Sequence, residues 1–254
     1  MDSEKVLVQI KERYQEILGD NVSVLIAGGS LPRGDYRPEW SDIDMFAVLK
    51  DTGTESLRLV RKVEDMLSEE LDTELDTMIV SQDLFKATRP EDLQDKVKNF
   101  LYWIDEEALL IGGKEDIPLL SFEQYKKGIE VVCVEQSKKF LRRNADIKLD
   151  GVEALRILLK KNVKVTRLIL RRGLANEQFA PNTWKQVLEA VEQRKEKDDW
   201  EIWEYDRLSK YFQWREDNAI AIMEEEQLIE EIDSSLRYFE RICAHILSHK
   251  EFLL

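Results

Sequence analysis

Two aspartates one residue apart, Asp42 and Asp44, stand at the head of an apolar segment early in the chain. On a strand, residues two apart point to the same face, so both carboxylates would be directed at one spot. Like charges held that close repel each other. A shared divalent cation that prefers oxygen ligands, most often Mg²⁺, is the usual way to relieve this repulsion. The pair therefore predicts a metal site where the apolar strand Met45 to Leu49 begins.

A loop suited to phosphate binding precedes the two aspartates. An apolar strand runs into Gly29 and Ser30, where small residues let the backbone approach a phosphate and a hydroxyl can donate a hydrogen bond to it. Gly34 and Pro38 then punctuate the loop that leads to Asp42. Strand, small-residue loop, paired acids and strand in this order indicate a metal-dependent nucleotide site rather than a polar turn between two strands.

This arrangement resembles a known motif. Gly-Ser, eleven residues and then Asp-Ile-Asp before an apolar strand is similar to the core motif of the DNA polymerase β-like nucleotidyltransferase superfamily. Within it, the spelling Gly-Ser-x-x-x-Gly and Ser-Asp-Ile-Asp looks most like aminoglycoside and minimal nucleotidyltransferases. The resemblance covers roughly the first half of the chain. It implies that Asp42 and Asp44 hold the metal and that Gly29, Ser30 and Ser41 contact the nucleotide.

The family also needs a third carboxylate on a neighbouring strand, and Asp76 is the candidate. The resemblance implies that Asp76 either completes the metal site or takes the proton from the attacking hydroxyl, a step that a nearby carboxylate and a cation both ease. Glu74 would share its face of the strand, whereas Asp72 would lie in the turn before it. Asp76 is preferred because it lies deeper in the strand, between apolar neighbours.

Composition agrees with an intracellular enzyme without identifying one. The chain has 254 residues, enough for two domains, and 38 basic against 52 acidic residues give a formal net charge of −14. Such a surface disfavours nucleic acid and anionic lipid as partners, and could favour a cationic substrate or simply preserve solubility. Cys133 and Cys243 are interpreted as small buried apolar residues. No leader and no apolar run of about 20 residues is found, so we expect a cytoplasmic protein and no membrane partner.

The pattern of apolar residues predicts an α/β (α+β) nucleotidyltransferase domain with a small mixed sheet over residues 1–118, followed by an all-helical bundle domain for substrate binding over residues 119–254. In the first domain we expect helices over 3–18, 54–71 and 91–104, strands over 23–27, 43–49 and 75–80, and a short apolar piece over 108–111. In the second we expect helices over 122–144, 152–172, 182–196, 200–214 and 220–249.

The second half carries weaker signals. Four basic residues form one stripe of the helix over 152–172, and Lys164 and Arg167 are the preferred contacts for the triphosphate or pyrophosphate: Lys160, Lys164, Arg167 and Arg171. A solvent-facing stripe that balances nearby acids is the equal alternative. Glu130 and Glu135 could face the acceptor, although ordinary exposed glutamates are more common on helices.

Aromatic and histidine residues also admit two interpretations each. An aromatic cluster in the second half could stack on a substrate ring but more often belongs to a core: Trp200, Trp203, Tyr205, Tyr211, Phe212 and Trp214. Trp40, next to Ser41, is expected at the mouth of the site, where it would stack on a ligand or pack in the loop. His245 and His249 lie one helical turn apart, but no third metal ligand is evident nearby. The spacing of Arg241 and His245 departs from the nuclease pattern sometimes found beside minimal nucleotidyltransferases.

The sequence thus predicts a Mg²⁺-dependent nucleotidyltransferase that uses ATP or another nucleoside triphosphate. The favoured acceptor is the hydroxyl of a small aminated or polyhydroxylated molecule such as an aminoglycoside. Transfer to a protein, as by an antitoxin-like modifier, would use the same residues. A nucleotide-binding module without catalysis is disfavoured because all three acids are present.

Overall fold

The computed structural model describes residues 2–37, 40–88, 101, 107–118, 120–124, 133, 138–139, 142, 151–175, 181–194 and 204–248. The chain divides into two compact units, Met1–Tyr125 and Lys126–Leu254. Residue 118, the predicted domain boundary, lies within the first unit. The predicted helix over 91–104 lies outside the described residues except for Leu101, and most of the predicted helix over 122–144 lies outside them as well.

The first unit is built on a small mixed sheet. Its described strands are β1 (Val22–Gly28), β2 (Ile43–Leu49), β3 (Leu75–Ser81) and β4 (Ala108–Ile111), in the order β3-β2-β1-β4. β1 runs antiparallel to both β2 and β4, whereas β2 and β3 are parallel. The parallel pair needs a crossover connection, which helix α2 (Thr54–Leu71) provides.

Two layers of side chains bury the sheet. Helix α1 (Ser3–Leu18) and α2 cover one face, where they pack against Met45, Ala47 and Leu49 of β2. The other face of β2 buries Phe46 and Val48 together with Phe85 of helix α3 (Gln82–Ala87). Because β2 is apolar on both faces, it is a nearly continuous apolar run in the sequence, and this is why its bounds were predicted correctly.

The second unit is helical in its described part. Its helices are α4 (Val152–Leu174), α5 (Trp184–Arg194), α6 (Tyr205–Glu216) and α7 (Glu225–Ser248), with a short 3₁₀ helix at Ala219–Ile222. Helices α4 and α7 pack along each other, and the buried Asn162 amide donates to the Ser235 hydroxyl between them at 3.0 Å. The predicted fold class, a domain with a small mixed sheet followed by a helical region, is confirmed.

Details of the second unit differ from the sequence prediction. The single helix expected over 220–249 is two elements, because the chain leaves the 3₁₀ helix at Met223 in an extended conformation and α7 begins only at Glu225. Cys133 and Cys243 are buried, as expected. In the part of the chain that the structure describes, no helix is long and apolar enough to cross a membrane.

Candidate active site

The turn that follows β1 lies close to the carboxylate of Asp44. Gly29 has a φ of +80°, and a Cβ atom placed on it would lie 3.0 Å from Oδ2 of Asp44. Glycine is therefore required here for its backbone conformation and for the space that Asp44 occupies. The turn closes where the Asp35 amide donates to the carbonyl of Ser30 at 2.9 Å, and Ser30 itself stays partly exposed. The predicted phosphate-binding loop is thus a turn directly beside an acid of the predicted metal site.

The sheet register brings the predicted acids together. Asp44 of β2 is paired with Asp76 of β3 on one side and with Gly28 of β1 on the other. Paired residues point to the same face of a sheet, and neighbouring strands lie about 4.8 Å apart, so both carboxylates stand side by side. Asp42 precedes β2 and lies two residues before Asp44. Asp42 and Asp44 are partly exposed and Asp76 is exposed.

The competing acids near Asp76 lie where the sequence suggested. Asp72 ends α2 in the left-handed conformation, with a φ of 49°, and therefore belongs to the turn. Glu74 immediately precedes β3 and is exposed, and its carbonyl accepts from the amide of Ile43 at 2.9 Å. An open cavity of about 480 Å³ adjoins this turn and is mainly acidic; it is lined by Arg61, Glu64, Asp65, Ser68, Asp72, Thr73, Glu74, Leu75 and Asp76.

Thr77, the residue after Asp76, is hydrogen-bonded through both its side chain and its backbone amide. The Tyr14 hydroxyl and the Thr77 hydroxyl share a hydrogen bond under the sheet, and the Thr77 amide donates to Oε1 of the buried Glu64 at 2.7 Å. Burial raises the pKa of Tyr14 far above its ordinary value, and the charges of Glu64 and Asp76 raise it further. Tyr14 therefore stays protonated at neutral pH, and its hydroxyl remains a hydrogen-bond donor beside β3.

Sequence reasoning missed the residues that restrain the loop between β1 and β2. Nη1 of Arg33 lies 3.2 Å from Oε1 of Glu107, and both side chains are almost completely buried. Farther along the loop, the Tyr36 hydroxyl donates to the Thr73 hydroxyl at 2.7 Å. Their partners lie far away in the sequence, so no local pattern announces these contacts. The loop is therefore attached both to the start of β4 and to the turn before β3.

The candidate metal ligands have the right chemistry for a hard cation. Carboxylate oxygens are the ligands that Mg²⁺ prefers, and Mg²⁺ is commonly held by one or two carboxylates together with substrate phosphates. The paired Asp44 and Asp76 meet that requirement. Among the described residues, no group of three or more His, Cys, Asp and Glu side chains is arranged to hold a metal by itself. Together with substrate phosphates, the two carboxylates would offer such a cation a suitable set of oxygen ligands.

The basic stripe of the second unit lies along α4, as predicted. Arg167 donates to the carbonyl of Asn182 at 2.6 Å, and its guanidinium lies 5.7 Å from the ring centre of Trp184. Lys164 is partly exposed, whereas Arg171 is buried, with 4% of its surface exposed. A purely solvent-facing stripe is therefore wrong at Arg171. The nucleotide contacts assigned to Lys164 and Arg167 stay predictions.

The aromatic residues belong mainly to the interior. Tyr211 and Trp214 are buried with ring centres 5.3 Å apart, in accord with the core interpretation. Trp40 is only 3% exposed, in accord with the alternative that it packs in the loop. A bulky apolar ring gains more by packing under the loop than by standing in water. His245 is buried. Six residues named in the sequence analysis lie outside the described residues: Pro38, Glu130, Glu135, Trp200, Trp203 and His249.

Comparison with known proteins agrees with this geometry. Residues 7–102 match the family model of the nucleotidyltransferase domain. A search of curated proteins found no match. Among solved structures, the chain is similar to spectinomycin adenyltransferase from Enterococcus faecialis, which was crystallised with ATP and spectinomycin. The TM-score is 0.60 at 12% identity, with 93% of this chain and 99% of that chain covered. At this identity the likeness establishes a shared fold.

Proposed function

We propose that this chain, a transferase whose residues 7–102 form a nucleotidyltransferase domain, moves a nucleoside monophosphate from ATP to a hydroxyl of a small aminated acceptor such as an aminoglycoside. The observation that carries the proposal is the pairing of Asp44 with Asp76 beside the turn at Gly29. The acceptor oxygen bonds to the α-phosphorus, the bond from that phosphorus to the bridging oxygen breaks, and pyrophosphate leaves.

The turn after β1 would bind the nucleotide. Gly29 leaves its backbone open to a phosphate, and the partly exposed Ser30 offers a hydroxyl as donor. Ser41, beside Asp42, and the α4 residues Lys164 and Arg167 are proposed as further nucleotide contacts. Cationic donors would stabilise the charge that builds up on the departing pyrophosphate.

The three carboxylates divide the remaining work. Asp42 and Asp44 would hold Mg²⁺, for which their oxygen donors are suited. When bound, the cation neutralises charge on the α-phosphate during transfer. Asp76, exposed on the neighbouring strand, either adds a ligand or accepts the proton of the attacking hydroxyl. Holding the reactants in line beside these groups supplies much of the rate acceleration.

Charge supports a cationic acceptor. The chain carries a net charge of −14, and the cavity of about 480 Å³ beside Asp76 is lined mainly by acids. Several ammonium groups on one small molecule would be attracted to such a surface. The similar spectinomycin adenyltransferase was crystallised with ATP and spectinomycin. A cytoplasmic location and the choice of ATP over other triphosphates remain predictions.

The experiment follows the label of ATP. The chain is incubated with Mg²⁺ and ATP labelled at either the α- or the γ-phosphate, together with a panel of aminoglycosides or with a cell lysate. We expect α-label, but no γ-label, on an aminoglycoside, and a rate that falls steeply as salt screens the acidic surface. Asp44→Asn serves as the inactive control. Label found only on a lysate protein would refute the small-molecule acceptor and leave the reaction type standing.

A further inference from the structure

Two residues of the turn between α2 and β3 form hydrogen bonds with the backbone of the residues on either side of Asp42. The Thr73 hydroxyl donates to the carbonyl of Ser41 at 3.3 Å, on the residue before Asp42. The carbonyl of Glu74 accepts from the amide of Ile43 at 2.9 Å, on the residue after it. Two consecutive residues of one turn therefore bracket one candidate metal ligand.

The Thr73 hydroxyl is also oriented by a residue of the loop between β1 and β2. The buried Tyr36 donates its hydroxyl hydrogen to Oγ1 of Thr73 at 2.7 Å, which leaves the Thr73 hydrogen for the carbonyl of Ser41. A hydroxyl that accepts one hydrogen bond and donates another in this way is fixed in its rotation. Tyr36, Thr73 and Ser41 thus form a directed chain across the loop.

The turn that carries Thr73 is itself anchored to the end of α2. The amides of Asp72 and Thr73 both donate to the carbonyl of Ser68, the latter at 3.2 Å. The amide of Leu75 donates to the Ser68 hydroxyl at 3.3 Å. Since Asp76 follows directly in β3, the turn holds a constant distance between the backbone of Asp42 and the strand that bears Asp76.

We propose that Thr73 is a positioning residue, which sets Asp42 against Asp44 so that these two carboxylates, together with the nucleotide phosphates, can hold one cation. The inference rests on the proposed function, because it concerns the same site. Thr73 does not contact the reacting atoms; it acts through the carbonyl of Ser41. The sheet register aligns Asp44 with Asp76, whereas Asp42 lies before the strand and is placed by hydrogen bonds of its neighbours, among them the bond from Thr73 to Ser41.

The test uses Thr73→Val, which keeps the shape of the side chain and removes the hydroxyl. Binding of Mn²⁺ in the presence of a non-hydrolysable ATP analogue is measured by electron paramagnetic resonance, alongside kcat and KM for transfer. We expect Mn²⁺ affinity and kcat each to fall roughly two- to tenfold, the effect of losing one hydrogen bond, while KM for the acceptor stays unchanged. Thr73→Ser, which retains the hydroxyl, should restore both values.

Two further variants separate positioning from general stability. The Ser23 hydroxyl donates to the carbonyl of Val48 at 3.0 Å in the same sheet, at the end away from the acids. Ser23→Ala should therefore leave Mn²⁺ affinity unchanged. Tyr36→Phe should weaken Mn²⁺ binding less than Thr73→Val does, because the bond from Thr73 to Ser41 remains. The double variant should be no worse than Thr73→Val, since the two hydroxyls act in one chain.

The outcomes are distinguishable. Wild-type affinity and kcat in Thr73→Val, with normal behaviour of the wild-type protein, would overturn the role of Thr73 and leave the proposed function intact. An equal loss in Ser23→Ala would also overturn it, because the effect would then be general. If the wild-type protein itself bound neither Mn²⁺ nor the nucleotide analogue, the proposed function and the inference would both be refuted. Should Thr73→Val fail to fold, Thr73→Ala removes the same hydroxyl and gives the same comparison.

Discussion

Alanine at Gly29 and at Gly34 would separate backbone strain from damage to the catalytic acids. Both glycines have positive φ angles, +80° and +68°, in the same turn. Alanine in that conformation costs about 1–2 kcal/mol at either position. A Cβ at Gly34 would meet no atom within 4 Å, whereas a Cβ at Gly29 would lie 3.0 Å from Oδ2 of Asp44. The two variants therefore share the strain and differ in what the added methyl group touches.

The size of the catalytic effect follows from that distance. Comfortable contacts begin at about 3.5 Å, so the Asp44 carboxylate must retreat by roughly 0.5 Å. A displacement of about 1 Å in an active site can cost on the order of 10²-fold in rate. Half that displacement corresponds to roughly tenfold. Gly29→Ala should thus lose about tenfold in kcat/KM beyond any loss in Gly34→Ala, although both should unfold at similarly reduced urea concentrations.

The measurements are urea unfolding of both variants and kcat/KM for transfer of α-labelled nucleotide. An equal loss of activity in the two variants would refute the argument, because strain alone would then explain it. So would a Gly29→Ala variant with wild-type activity, since the Asp44 carboxylate would then tolerate the methyl group without consequence.

Three further predictions follow from named contacts. Asp44→Asn should lower the rate of nucleotide transfer by about 10²-fold or more, since the variant removes a candidate metal ligand. The urea midpoint should not fall, because repulsion between the acids is reduced. A wild-type rate would show that Asp44 is not part of the site. Glu107→Gln should lower the free energy of unfolding by about 3 kcal/mol, because it leaves the buried charge of Arg33 with less compensation. Asp65→Asn, in an exposed ion pair, should lower it by at most about 1 kcal/mol. Equal losses in the two variants would contradict the argument from burial. Burial raises the pKa of Tyr211 to about 12, so its contribution to stability is complete below pH 10 and declines as the pH rises from 10 to about 12, because the unfolded chain loses this proton first. Urea unfolding of the wild type and of Tyr211→Phe across this pH range measures the decline. An identical pH dependence of the two proteins would refute the prediction.

Elements with a strong sequence pattern of their own were the most predictable. β2 and α2 match their predicted bounds because each has a pattern that depends only on its own residues: an apolar run for a strand buried on both faces, and buried residues at helical spacing in α2. The pairing of Asp44 with Asp76 was expected only through the family resemblance. The register that produces it depends on how α2 crosses over the sheet, which the alternation of one strand does not specify.

What escaped prediction depends on contacts between distant residues. The hydrogen bond from Tyr36 to Thr73 joins two loops that share no periodic pattern. For Trp40 the sequence left stacking on a ligand and packing in the loop as equal alternatives, because its position in a loop says nothing of the space beneath it. The break at Met223 was missed since apolar residues continue at helical spacing on both sides of it. In each case the tertiary structure, rather than local propensity, determines the outcome.

The hydrogen bond from the Thr77 amide to Glu64 also affects how the molecule meets other chains. β3 forms one border of the described sheet, and the border strand of a sheet is a template on which a foreign strand can add. At Thr77 the outward amide is already occupied by a buried carboxylate from α2. An incoming peptide would have to displace that carboxylate oxygen and break its hydrogen bond to the Thr77 amide. The border strand that carries Asp76 is thereby protected at Thr77 against edge-to-edge aggregation.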